Sequence, residues 1–363
     1  MPLSVRWSHF AGALVSMLLL ACGGVSSRPT QAPDVYVAGF VDNGTVYVAM
    51  CWKNGIPQAL TDGTRSAKAL SVYVAGGDVY VAGGQSSANG PDVATYWKNG
   101  VAVALTDGTT EAMAESIVVS GGDIYVAGYQ TLASGGDVVT YWKNGVAVPL
   151  TGPTNGEARS IAVSGNDVYV VGWTTDTIEY APNSFLTAPV AKLWKNGLLT
   201  PLNDLATTNA VAESVVVSGS DVYVAGYAAP TLYTAGSEPW TAQFWKNGTA
   251  LPLSDGINGA KAFAIAVVGD SVFTAGFTSA GAGAMATLWR NGSPVRWTNG
   301  SLDAVVLALA VPSTKFLPDH FPAGEYAAGF EGSTAKVWVN GSAQALTDGR
   351  TEAEAWGIFV VSH

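Results

Sequence analysis

One phrase recurs seven times along this chain: Trp-Lys-Asn-Gly at Trp52, Trp97, Trp142, Trp194 and Trp245, then Trp-Arg-Asn-Gly at Trp289 and Trp-Val-Asn-Gly at Trp338. The intervals are 45, 45, 52, 51, 44 and 49 residues. Four strand-like runs are legible in the unit 112–151: AMAESIVV (112–119), DIYVAGY (123–129), VVTYWK (138–143) and VAVPL (146–150). Asn144-Gly145 separates the last two. Asn-Gly between alternating apolar runs is the strongest short hairpin signal, because a type I′ turn needs positive φ at both central residues. A period in the forties with four strands per unit predicts an all-β chain, a seven-bladed β-propeller of four-stranded blades.

Side-chain size along the unit agrees with a radiating blade. First strands are rich in Ala, Ser and Gly, second strands carry Tyr80, Tyr125, Tyr169 and Tyr223, and third strands carry the seven Trp. Neighbouring sheets diverge outward, so larger side chains are needed there to reach close packing. The array opens on a second strand, DVYVAGF from Asp34, and ends on an orphan first strand, AWGIFVV (355–361). The last strand is therefore expected to complete the first blade and close the ring.

The other strong signal is N-terminal. Arg6 precedes an apolar run, Ala11 to Leu20, too short for an ordinary span, and Ala21 is a small residue at the cut; this is the layout of an export signal. Leu19-Leu20-Ala21-Cys22 resembles the lipobox of bacterial lipoproteins. That resemblance implies acylation of Cys22, a membrane partner through the lipid, and a place in the bacterial cell envelope, at the outer membrane or cell surface. The expected layout is a signal peptide at 1–21, a flexible tether at 22–33 and the propeller at 34–363.

Composition removes several function classes. Without residues 1–21 the chain loses one basic group, Arg6, leaving 16 basic against 27 acidic residues and a net charge of −11. No basic run remains, so no nucleic-acid partner is expected. Beyond Cys22 the one cysteine is Cys51, which sits at the apolar position before Trp52 and reads as a small buried hydrophobe. Histidine in the mature chain is limited to His320 and His363, too few for a multi-histidine zinc site and poorly placed for a Ser-His-Asp triad. No cofactor, no metal and no catalytic residue is expected.

The run DVYVAGG (78–84) with the following Trp strand resembles kelch repeats. The tandem YWKNG and LTDG units together resemble uncharacterised bacterial β-propeller lipoproteins over the whole mature domain, a likeness that implies a propeller at a bacterial surface and brings no catalytic residues.

Candidate functional residues come from topology. Turns after strands one and three share one face and are short; loops after strands two and four share the other and vary. Two of these are long, 173–190 and 227–242, and they add Trp173, Tyr180, Tyr233 and Trp240 outside the repeated Trp set. Aligning the first strands places Leu70, Glu115, Arg159, Glu213, Phe263, Leu307 and Trp356 at one position near the loop-rich end of the channel. Glu115, Arg159 and Glu213 stand on successive blades, and the aromatic Trp356 takes the same position in the last first-strand of the chain. The expected function is a binding or interaction module for an unknown protein or glycan ligand. One rival is an envelope polysaccharide hydrolase or lyase using Glu115 and Glu213; another is a purely structural envelope protein.

Overall fold

The computed structural model describes residues 32–88, 90–203, 208–230, 240–280, 283–312 and 324–362, the side chains of 180, 181 and 280 aside. One compact unit spans Pro33–Ser362. It consists of seven four-stranded antiparallel sheets, a seven-bladed β-propeller. Blade one begins with the last strand of the chain, Ala353–Val361, followed outward by Asp34–Asp42, Tyr47–Lys53 and Ile56–Ala59. Blades two to seven run in chain order from the inner strands Ala67–Ala75, Ala112–Ser120, Gly156–Ser164, Thr208–Ser218, Ala260–Val268 and Ala304–Ala310.

Closure is a full antiparallel pairing, with Val35 opposite Val360 and Val37 opposite Ile358. Both ends of the array therefore lie in one sheet, and the ring is closed as the orphan strands predicted. The seven repeat Trp residues are at most 1% exposed. Trp97 of blade two packs on Tyr36, Ala38 and Ala49 of blade one, and Trp142 of blade three on Tyr80, Ala82 and Ala94 of blade two. Near the axis the same interfaces narrow to alanines such as Ala69, Ala114 and Ala158, all fully buried. An aromatic side chain buries roughly 150–250 Å², worth on the order of 4–6 kcal/mol. An indole N–H buried without a partner, as in Trp97 and Trp142, takes back about 1–3 kcal/mol; the indoles still hold neighbouring blades together.

The repeated Lys and Asn also have structural tasks. In blades one to five the Lys after Trp pairs with the Asp that opens the second strand, Lys143–Asp123 at 2.8 Å for example, and lies over the ring of a Tyr two residues on, Tyr125. The Asn supplies its left-handed turn backbone, φ 51° at Asn144. Its amide Nδ2 donates to Asp123, and its Oδ1 accepts from Ile124 N–H. In blade six Asn291 keeps its turn and its bond from Val272 N–H, but the Lys–Asp pair is replaced by a bridge to the next blade, where Arg290 makes a bidentate pair of 2.5 Å contacts with Glu325.

The segment 173–190 departs from the expected loop. Second strand Asp167–Ala181 and third strand Ser184–Lys195 continue pairing out to Ala181 and Ser184, so the segment is a projecting β-ribbon. β-Branched residues, Thr174, Thr175, Thr177 and Ile178 on one strand and Thr187 and Val190 on the other, suit the ladder, and Asn183 turns it at φ 60°. Ile178, Leu186, Ala188 and Val190 form a small apolar cluster of their own, and Phe185 near the tip is 64% exposed.

Candidate functional site

Each inner strand carries a β-bulge, and the bulged residues are the seven aligned positions. In blade three Ala114 pairs with Gly128 and Ser116 with Ala127, which leaves Glu115 outside the ladder. The same skip leaves out Leu70, Arg159, Glu213, Phe263, Leu307 and Trp356 in their blades. A bulge re-aims the extra side chain, and all seven line one axial cavity of about 160 Å³. An apolar cavity of roughly 150 Å³ is known to take up one benzene molecule.

The glycine of the repeated VAG stretch follows from the bulge. A Cβ on Gly128 would lie 1.9 Å from the carbonyl oxygen of Met113, and one on Gly172 1.9 Å from that of Glu157. The bulge pushes a carbonyl against the second strand, where a hydrogen alone fits. Serines next to the bulge tie blades together around the axis: Ile117 N–H donates to Ser71 Oγ at 3.3 Å, and Val215 N–H to Ser160 Oγ at 3.2 Å.

Arg159 occupies the middle of the charged arc. Its guanidinium lies 2.7 Å from Glu157, 3.6 Å from Glu115 and 3.8 Å from Glu213. The Arg159 side chain is 28% exposed and those of Glu115 and Glu213 are each 12%. Burial raises the Glu115 carboxyl to about 7 against the pull of Arg159, and raises Glu213 for the same reason. Burial and then the neighbouring Glu213 raise the Tyr227 phenol; burial and then Glu157 raise Tyr129. Arg159, with three carboxylates around it, is not on offer to an anion. A carboxyl poised near neutrality could release or take up a proton, but the guanidinium spans the space between Glu115 and Glu213. Among the described residues no group of three or more His, Cys, Asp or Glu is placed to hold a metal ion.

Trp356 joins this site, its indole Nε1 donating to Glu354 at 2.7 Å. Trp173 pairs directly with Glu157 across blade four, which places it just above the bulge layer on the loop-rich side. Trp240 packs edge-on against Tyr227 at 5.0 Å, with Lys261 Nζ 5.0 Å from its ring centre. The backbone of Tyr180 belongs to the projecting ribbon. Tyr233, Cys22, His320 and His363 lie outside the described residues, as do the signal assigned to 1–21 and all but the last two residues of the tether assigned to 22–33. Cys51 is buried and its thiol is pushed up to about 11 by that burial.

Glu157, Tyr129 and Tyr227 escaped the sequence alignment of ring positions. Their signal was present: Tyr129, Trp173 and Tyr227 each follow the invariant VAG or VVG glycine, and Glu157 lies two residues before a ring position. Blade two has Gly84 instead of an aromatic, and Met113 of the next blade fills the vacated volume, 2.5 Å from where a Cβ would stand.

No family model matches the chain, and no curated protein does. Solved structures do resemble it. A puromycin-hydrolyzing peptidase of Mycobacterium tuberculosis superposes with TM-score 0.53 at 10% identity, over 88% of this chain and 53% of that one. The acylaminoacyl peptidase of Pyrococcus horikoshii gives 0.52 at 13%, over 88% and 51%. The β-propeller domain of the Trilobed protease from Pyrococcus furiosus gives 0.51 at 9%, over 88% and 94%. The likeness is one of fold. The present chain spans about half the length of the two peptidases, and its ring is closed by strand pairing whereas the Pyrococcus furiosus domain is described as having an open velcro topology.

Proposed function

We propose that this chain is a lipid-anchored envelope protein of bacteria whose propeller is a binding module, with the loop-rich mouth of the axial cavity as its ligand surface. The observation that carries the binding role is the bulge layer. Seven side chains are taken out of the sheet ladders and turned to one cavity, and three successive ones are charged. Burying charges costs free energy that apolar residues at the same positions would spare, so their presence speaks for a ligand rather than for a scaffold alone. Arg159 between Glu115 and Glu213 favours binding over polysaccharide cleavage, because a glycosidase keeps that space for the scissile bond. The anchor rests on Leu19-Leu20-Ala21-Cys22, and the resemblance to tandem YWKNG and LTDG lipoproteins supports the same placement.

Two measurements test this. Cys22→Ser should move the protein from the membrane fraction to the aqueous fraction; retention on membranes after a high-salt wash would refute the anchor. Immobilised protein should capture a component of solubilised envelope or a glycan on an array, and Leu307→Trp, which fills the cavity, should abolish that capture. Equal capture by the filled variant would place the ligand surface elsewhere.

A further inference from the structure

The axial cavity has two unlike sides. Blades three to five bring Glu115, Arg159 and Glu213; blades six, seven, one and two bring Phe263, Leu307, Trp356 and Leu70. On the charged side Glu157 takes the close contact with Arg159, while Glu115 and Glu213 stand at 3.6 and 3.8 Å, beyond hydrogen-bond length. Glu213 also has Tyr227 as a hydrogen-bond partner and Lys261 as a nearby cation, and Glu157 Oε2 is buried without a hydrogen bond. Three carboxylates facing two cations thus still leave an excess of acceptors and of negative charge. A further compact cation with several N–H donors would satisfy both. The apolar side can cover a few methylenes attached to it, and the volume suits one such group rather than a polymer. The same face already holds ammonium groups of its own chain: Lys261 Nζ lies 4.5 Å from the ring centre of Tyr227, and Lys68 Nζ 4.6 Å from those of Phe40 and Tyr47.

We propose that this cavity binds a primary alkylammonium group, the chemistry of a lysine side chain or a free alkylamine, with Glu115 and Glu213 accepting its hydrogen bonds and Leu307 and Trp356 covering its stem. The proposal rests on the mouth being the ligand surface and narrows that reading to one chemistry. The groups facing Glu115 are Arg159, Glu157, Glu213 and Tyr129. Because burial holds the Glu115 carboxyl near neutrality, an ammonium that needs the carboxylate binds more tightly from pH 6 to pH 8 and displaces a proton as it does so.

Ligand-observed NMR with the purified protein tests it, using n-butylammonium, the neutral isostere 1-butanol, Nα-acetyl-lysine methylamide and that compound acetylated on Nε. The two amines should bind, and the alcohol and the Nε-acetylated form should bind at least tenfold more weakly. Glu115→Gln with Glu213→Gln should weaken butylammonium at least tenfold while circular dichroism stays native. Leu307→Trp should also abolish binding, which covers the case of a misfolded double variant. Tighter binding of blocked lysine marks a protein partner as the source, and tighter binding of butylammonium a free amine. Absence of amine binding up to about 10 mM, or undiminished binding by the folded double variant, overturns the proposal. If envelope capture still depends on the open cavity in that event, the ligand surface stands and its alkylammonium chemistry alone falls.

Discussion

At the scale of single residues, two positions show how tightly the bulge constrains its surroundings. Gly172→Ala would set a Cβ 1.9 Å from the Glu157 carbonyl oxygen, backbone against backbone. Relief requires the inner strand to shift, which should cost roughly 3 kcal/mol or more, read as a lowered midpoint in chemical denaturation. Glu115 makes a prediction about pH. Its folded pKa, about 7, lies above its ordinary 4.5, so its contribution to stability is complete below the ordinary value and is lost as pH rises through 7. Glu213 and Glu354 are displaced in the same direction by burial. The rim aspartates Asp123, Asp167 and Asp221 are held low by their Lys and Asn partners, and their stabilisation is lost only when pH falls below the ordinary aspartate range. Stability should therefore decline from pH 5 to pH 8. Glu115→Gln should flatten that decline by on the order of 3 kcal/mol, measured by urea unfolding at both ends. An unchanged slope would show that Glu115 is not buried as described.

At the scale of elements, what was legible in the chain was whatever repeats. Asn-Gly turns, the small-to-large gradient and the orphan end strands rest on local chemistry copied seven times, and each recurs as a strand or turn within a residue or two of its expected place. The ring position was legible too, because alignment of repeats preserves a bulge without naming it. What stayed hidden was contact between layers. Glu157 and Arg159 share a side of the strand by its period of two, but an alignment that picks one position per blade does not show that the two side chains meet. The ribbon at 173–190 was hidden for another reason: its length is outside the repeat, so no second copy exists to show that it pairs. Its apolar cluster is separate from the blade interfaces. Replacing 178–186 by Asn-Gly, which keeps Thr177 opposite Thr187, should leave the thermal midpoint within about 4 °C of the parent. A larger drop in calorimetry would show that the ribbon supports the ring.

At the scale of the whole molecule, the ring depends on one late strand. Deleting 353–363 removes the buried Ala353, Ala355 and Ile358 and strips the inner edge from Asp34–Asp42. Apolar side chains of the size of Ile are worth roughly 1.5–3 kcal/mol each, the lost ladder adds to that, and a domain holds only about 5–15 kcal/mol in reserve. The truncated chain should be recovered as aggregate or as an expanded species in size-exclusion chromatography. The bulges carry a consequence of a different kind. A residue left out of the ladder makes no pairing that its neighbours need, so its identity can change while the blade around it keeps its register. The axis is thus a seven-letter word written on a fixed frame, here Leu, Glu, Arg, Glu, Phe, Leu and Trp in order around the ring. Respelling it would change what the cavity presents while the blades keep their pairing.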